Sequence, residues 1–377
     1  MIIKNAVLIN MNGIYRECVD LVVRDGKIAG ISREIEPESG ETVIDAGRAL
    51  VTPGFIEADC LAGTRSQVFR KDNNDAADAE PLTPQLRAVD ALDFSDEAFS
   101  MARRGGVTTV ISSPAGETLI GGTCAAVKTG GTGYANRILK EEAAFKFSLT
   151  GAPRSRFGGK GRSPLTRMGS AAMIRNLLSQ ALQYREEEKA GISHARKLDL
   201  MSLSRVFDGL PVKIAANQTQ DIMTAVRIGE EFGLNYMITG GYDAVAACTH
   251  MERHDIRFLT GPLYGGGKSR EEENRKLTLA GQMEKMGIPT AVTTGHPFMN
   301  LELFPCQLAL LHREGMSEKE ALKAVTINPA KFLGLDHRIG SIEVGKDADL
   351  VIWNGEPLDF YGSVRTMIIN GTVVETE

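Results

Sequence analysis

The 377-residue chain has no apolar run approaching the length of a membrane span, and Met1-Ile2-Ile3-Lys4 does not lead into the long apolar core of a signal peptide. The expected location is therefore cytoplasmic, with no membrane partner. Cysteine is scarce: Cys18, Cys60, Cys124, Cys248 and Cys306 are odd in number, far apart and without a CxxC pair. That spacing excludes a disulfide framework and a zinc knuckle and suggests reduced thiols. A large charge of either sign is also missing. The net charge of -5 argues against a general nucleic-acid binder. Nothing resembling GxGxxG follows a strand, which weakens a dinucleotide-binding reading. Six histidines are present (His194, His250, His254, His296, His312 and His337), and no two form an HxH pair.

What is present is alternation. Ile2–Ile9, Asp20–Val23 and Lys27–Ile31 read as short strands, the last two joined by the tight-turn pair Asp25-Gly26. The same texture returns in Asp349–Trp353 and Val364–Val374, with Asn370-Gly371 as a second hairpin turn. Strand-rich ends flanking a long middle suggest one small β-unit assembled from both. Between them strand and helix repeat. Val107–Ile111, Ala144–Leu149, Pro211–Ala216, Leu234–Thr239, Ile256–Leu259 and Thr290–Thr294 read as strands, and Ala171–Glu188, Asp221–Phe232, Glu273–Met286 and Leu303–Glu314 as helices. Ser317-Glu318-Lys319-Glu320 is a capping box that opens a further helix. Such βα units favour an α/β fold, a (β/α)8 TIM barrel over residues 55–337, with a small β-sandwich domain from residues 1–54 plus 338–377.

Two stretches carry a family resemblance. Ala49-Leu50-Val51-Thr52-Pro53-Gly54-Phe55-Ile56-Glu57-Ala58-Asp59-Cys60-Leu61 resembles the segment that opens the barrel of the amidohydrolase superfamily, Val-Thr-Pro-Gly-Phe-Ile-Asp-Ala-His-x-His. Met316–Leu322, Thr326–Lys331 and Gly345-Lys346-Asp347-Ala348-Asp349-Leu350-Val351 resemble its closing signature. Pro81-Leu82-Thr83-Pro84, Ile120-Gly121-Gly122-Thr123 and Thr166-Arg167-Met168-Gly169 are similar to the imidazolonepropionase-related branch. The resemblance implies one or two divalent metals at the C-terminal ends of the barrel strands. There they generate a hydroxide that attacks an amide-like or ring C–N bond.

The metal-binding positions, however, are altered. Laid on the family pattern, the opening histidines fall on Asp59 and Leu61. The histidines of strands five and six fall on Ala215 and Gly240, and the aspartate of strand eight falls on Gly295. Lys146 stands where some members carry a carboxylated bridging lysine. Asp59, His296 and Asn217 are too few for a metal site. No metal ligand and no cofactor are therefore expected, with zinc or another divalent metal as the alternative. An Asp59–Lys146 contact is expected to replace the metal centre, which makes Asp59, Lys146 and His296 the candidate catalytic residues. Strand alternation turns Cys60 toward the helices, so it reads as an inert buried thiol. His250 and His254, spaced four apart, read as a solvated helical face.

The remaining candidates are ligand-binding. Asn217 follows strand five, and Arg154, Arg156 and Arg167 lie in or beyond a basic, glycine-rich loop after strand four. That loop could draw in an anionic small molecule, and it reads equally as a solvated segment. Arg70-Lys71-Asp72-Asn73-Asn74-Asp75 reads as a lid or subunit contact. Two functions stay open. One is a divergent hydrolase of non-peptide C–N bonds, acting on cyclic amides or imidazolones. The other is a metal-free small-ligand-binding or structural subunit, a homo-oligomer or the partner of an active paralogue.

Overall fold

The computed structural model describes residues 1–12, 15–66, 74–75, 80–192, 195–265 and 269–376. His194 and most of the Arg70–Asp75 loop lie outside the described residues. No helix among the described residues is long and apolar enough to cross a membrane.

Eight strands from the two ends of the chain form one sheet in the order β16-β15-β14-β5-β1-β2-β3, with β4 on β1. They are β1 (Ile2–Ile9), β2 (Tyr15–Arg24), β3 (Lys27–Ser32), β4 (Val43–Asp45), β5 (Leu50–Pro53), β14 (Leu350–Asn354), β15 (Ser363–Ile369) and β16 (Thr372–Val374). The ends meet where β14 runs antiparallel to β5, Val351 opposite Thr52. The sheet also folds back on itself. Ile28 of β3 donates its amide to the Lys346 carbonyl just ahead of β14, and Ile3, Leu8, Leu21, Leu350, Ile352 and Ile368 share one apolar core. Asp25-Gly26 and Asn370-Gly371 make the expected turns; all four residues have positive φ, the conformation such hairpins require.

The second sheet is the barrel, in the order β6 (Phe55–Cys60), β7 (Val107–Ser112), β8 (Ile120–Lys128), β9 (Ile138–Ser148), β10 (Val212–Ala216), β11 (Tyr236–Gly240), β12 (Phe258–Thr260) and β13 (Thr290–Val292). The expected (β/α)8 arrangement holds with one departure. β8 lies antiparallel to both β7 and β9, so no crossover helix covers this side. All nine residues of β8 are buried. Its run of Gly, Ala, Cys and Thr shows neither alternation nor bulk, which is why it does not stand out in the sequence. Other helices match closely, although the one expected over Glu273–Met286 is confined to Thr278–Lys285. Thr166 caps helix Arg167–Lys189, its Oγ1 accepting from the Gly169 amide at 3.0 Å.

Two polar and aromatic clusters fasten sheet to barrel. Lys128, almost fully buried at the end of β8, pairs with Asp347 at 3.2 Å and with Asp349, and Arg338 reaches Asp347 at 2.8 Å. The acidic residues of the closing signature are thus structural anchors. Trp353, the one tryptophan of the chain, stacks on Phe55 with centroids 5.3 Å apart and donates to Thr52 Oγ1 at 2.9 Å. It lies so close to Gly106 that a Cβ there would sit 2.7 Å from the indole. Truncating this side chain leaves a large void at the seam. Trp353→Ala should therefore lower stability by about 3–5 kcal/mol, read as a shifted midpoint in urea unfolding followed by far-UV circular dichroism. A loss under about 1 kcal/mol would show that the seam does not hold the two parts together.

Candidate functional site

β9 and β10 point alternate side chains into the barrel. On β6, whose register with β7 shifts between Glu57 and Cys60, Asp59 faces the lumen. On β9 and β10 Lys146 and Lys213 are paired in register, so two ammonium groups project side by side. Asp59 meets both from across the lumen. Its Oδ2 accepts from Lys146 Nζ, and its Oδ1 accepts from Lys213 Nζ at 2.8 Å and Ser113 Oγ at 2.9 Å. Lys213 completes its set with Ser113 Oγ at 2.6 Å and the Ala58 carbonyl at 3.1 Å. Although burial opposes its ionisation, the two lysines hold the Asp59 carboxyl well below the usual range. Lys213 is fully buried, yet Asp59 keeps its ammonium protonated above the ordinary lysine range.

Below Asp59, Glu57 performs a different task. It is fully buried and accepts from the Asp59 amide at 3.0 Å, the Thr294 amide at 2.7 Å, Thr294 Oγ1 at 2.6 Å and Thr293 Oγ1. Burial pushes its carboxyl up against the pull of these donors. β13 and β6 share no backbone ladder, and Glu57 ties their ends together. The Leu61 amide helps by donating to the His296 carbonyl at 2.9 Å.

The expected Asp59–Lys146 contact is present, and Lys213 completes it. The sequence reading passed over Lys213 because it looked two residues further along β10, at Ala215; a lysine inside an otherwise apolar strand was the available signal. His296 is separate from this centre. Its ring is buried, neither nitrogen completes a hydrogen bond among the described residues, and desolvation lowers its pKa to about 4. The Met299 backbone and the Asp96 charge oppose that shift only in part. Cys60 packs among apolar side chains, its thiol pushed well above the ordinary value by burial and by the Glu57 charge. His250 and His254 are exposed, but only His250 is on helix Ala244–Met251.

The basic loop is internally compensated. Arg154 pairs with Glu271 at 3.2 Å, Arg156 with Glu117, and Arg167 with Asp221 at 2.7 Å and with Gln218. The pull that these arginines could exert on an anionic ligand is therefore largely spent inside the protein. Arg167 and Asn217 line a cavity of about 620 Å³ at the barrel mouth, with Thr150, Ser155, Gln218 and Gln220. Thr150 Oγ1 contacts Ser148 Oγ at 2.9 Å, and Ser148 lies two residues beyond Lys146. The cavity thus lies beyond the C-terminal ends of β9 and β10, and Asp59, Lys146 and Lys213 do not line it.

A metal fits these residues poorly. Among the described residues no three His, Cys, Asp or Glu side chains are grouped to hold an ion. The backbone at the positions concerned also disfavours a ligand side chain. Gly240 has φ +83, and a Cβ there would fall 2.1 Å from Asn217 Oδ1; Gly295 has φ +59, and its Cβ would meet Pro262 Cδ at 2.9 Å. A histidine or an aspartate cannot simply stand in either place.

The fold and the opening and closing motifs agree with known proteins. A solved structure, an amidohydrolase from Thermotoga maritima MSB8, superposes with a TM-score of 0.94 and 30% identity, covering 99% of both chains. The chain belongs to the amidohydrolase superfamily. The amidohydrolase family model matches residues 272–374, and the chain lies on the imidazolonepropionase-related side. An imidazolonepropionase of Solibacter usitatus is 25% identical over 88% of this chain and 83% of its own length. Amidohydrolase tasK of Hapsidospora irregularis is 22% identical over 94% of this chain but only 39% of its own length. An imidazolonepropionase of Maricaulis maris aligns over 42% of its length. The chain thus spans about two fifths of these last two relatives.

The charge pattern makes two predictions. Asp59→Asn leaves two buried ammoniums uncompensated and should cost about 3–5 kcal/mol. The triple change Asp59→Leu/Lys146→Met/Lys213→Met should unfold within about 1–2 kcal/mol of the parent, because it removes both sides of the pair. Equal losses in the two variants, measured by chemical denaturation, would contradict this. The second concerns pH. A histidine whose folded pKa lies near 4, below its unfolded value near 6.5, favours folding while neutral. Its contribution is complete above about pH 6.5 and falls as pH drops toward 4, by about 3 kcal/mol over the interval. In His296→Leu that slope should flatten between pH 6.5 and 4, while losses below pH 4, where Asp59 begins to weigh, persist. An unchanged slope would place the titration elsewhere.

Proposed function

We propose that this chain is a metal-independent member of the amidohydrolase superfamily, without metal-hydroxide chemistry, which binds a small polar ligand at the barrel mouth. The observation that carries this reading is the engagement of Asp59 by Lys146 and Lys213. An aspartate already bonded to two ammoniums and a serine hydroxyl has most of its acceptor capacity taken, and the adjoining positive charges repel a cation. The same closure disarms the local nucleophiles, since Lys213 is held protonated and the Cys60 thiol is held neutral. The mouth cavity supports a ligand that exchanges hydrogen bonds with carboxamides and hydroxyls, and cyclic amides and imidazolones are suitable probes. Names of relatives such as imidazolonepropionase favour the second reading, hydrolysis of a non-peptide C–N bond.

Protein purified without chelator should contain no stoichiometric zinc, manganese or iron. Adding a chelator should leave the melting temperature unchanged, since a ligand absent from the native state cannot stabilise it. Imidazolone and cyclic-amide probes should bind without turnover, and Asn217→Leu should weaken that binding. A melting temperature that falls by several degrees on chelation and recovers with zinc or manganese would overturn the proposal, as would turnover that depends on added metal.

A further inference from the structure

At the opposite end of the barrel, against the sheet from the chain ends, lies a cavity of about 730 Å³. Two guanidinium groups converge in it. Arg103, near the end of helix Ala98–Arg104, donates from Nη1 to the Thr129 carbonyl at 2.8 Å and from Nε to the Glu375 carbonyl at 2.7 Å. Arg137 donates from Nη2 to the same Thr129 carbonyl at 3.2 Å and from Nε to the Lys128 carbonyl at 3.2 Å. Phe94 and Phe99 hold its guanidinium at 4.1 and 4.7 Å from their ring centres.

Their partners set these two arginines apart. Arg154, Arg167 and Arg338 each face a carboxylate, whereas Arg103 and Arg137 meet only carbonyl oxygens among the described residues. A carbonyl satisfies an N–H but does not neutralise the charge. Burial, and for Arg137 the nearby Arg103, shift both below the ordinary arginine value, Arg137 to about 10. Both remain cationic at neutral pH. Three carboxylates also line the cavity: Asp347, already paired with Lys128 and Arg338, Asp25, and the exposed Glu375, whose charge reaches Arg103.

The same cavity is lined by Thr129-Gly130-Gly131-Thr132, and Gly133 follows. Gly131 and Gly133 have φ of +114 and +78, values that a side chain would strain. The backbone amides of residues 130–133 find no acceptor among the described residues. Successive free amides in a glycine turn form a concave anion seat, and the fork of an arginine matches the oxygens of a phosphate.

We propose that this cavity binds an oxyanion of the phosphate class, either inorganic phosphate or the phosphate of a small phosphomonoester, held by Arg103, Arg137 and the amides of residues 130–133. The occupant joins helix Ala98–Arg104, the β8–β9 connection and the segment after β16. Its binding therefore stabilises the junction of barrel and sheet and leaves the barrel mouth untouched.

The test uses the full chain in titrations with inorganic phosphate, glycerol 3-phosphate and succinate, with sodium chloride at matched ionic strength as the control. Thermal shift and calorimetry are the readouts. The phosphate-class ligands should raise the melting temperature saturably while chloride does not. Tighter binding of glycerol 3-phosphate would identify a phosphomonoester as the physiological class, and equal or tighter binding of phosphate the free ion. Arg103→Gln and Arg137→Lys should each weaken binding about tenfold or more, and Glu375→Gln should leave it intact or tighten it. If Arg137→Lys fails to fold by circular dichroism, Arg103→Gln decides alone. A shift no larger than with chloride, tighter binding of succinate, or full affinity in Arg103→Gln would overturn the proposal.

Discussion

Two lysines facing into a closed barrel from neighbouring strands impose the constraint around which the centre is arranged. Strands lie about 5 Å apart, and at an effective dielectric near 20 two unit charges at that distance repel by about 3 kcal/mol. Lys213 is fully buried and Lys146 nearly so, so neither ammonium is well hydrated in place. Asp59 resolves both problems because it stands opposite the pair, with one oxygen for each lysine. Ser113 and the Ala58 carbonyl then take the protons of Lys213 that Asp59 does not. Removing Asp59 leaves two buried ammoniums, whereas removing one lysine leaves a matched pair, so Asp59 is the member on which the cluster depends.

That cluster also explains how the barrel stays shut. The ladder runs unbroken from β6 to β13 and stops there. What bridges the gap is side-chain chemistry. Glu57 reaches Thr293 and Thr294, and Thr293 Oγ1 donates to the Asp59 carbonyl at 3.0 Å. Glu57 and Asp59 lie two residues apart on one strand. The first locks the seam and the second holds the lysines, so a slip of β6 by one residue would displace both at once.

Much of this was legible in the residues. Turn chemistry at Asp25-Gly26 and Asn370-Gly371, the βα alternation and the two motif stretches were enough for the architecture, and alternation along β6 placed Asp59 inward and Cys60 outward. β8 was not legible, since its small residues are buried on both faces and lack a period. The reach of Lys213 was not legible either, because register between β9 and β10 is a tertiary fact. The partners of Arg154, Arg156 and Arg167 come from segments far away in the chain, at Glu271, Glu117 and Asp221. Sequence showed a basic loop; only the fold shows that its charge is matched.

The glycines at the strand ends bear on whether the centre could hold a metal. Had only the ligand side chains been lost, the backbone would still present Cβ positions toward the lumen. Instead Gly240 and Gly295 both adopt positive φ, and the space beside each is taken by Asn217 or Pro262. A histidine or an aspartate there would need negative φ and the withdrawal of those neighbours, while Lys213 would still place a positive charge in the lumen. Glycine backbone and lysine pair thus point the same way: the ammoniums supply positive charge in the lumen, and the strand ends leave little room for a ligand side chain. The arrangement is self-consistent without a cation, and no single substitution reverses it.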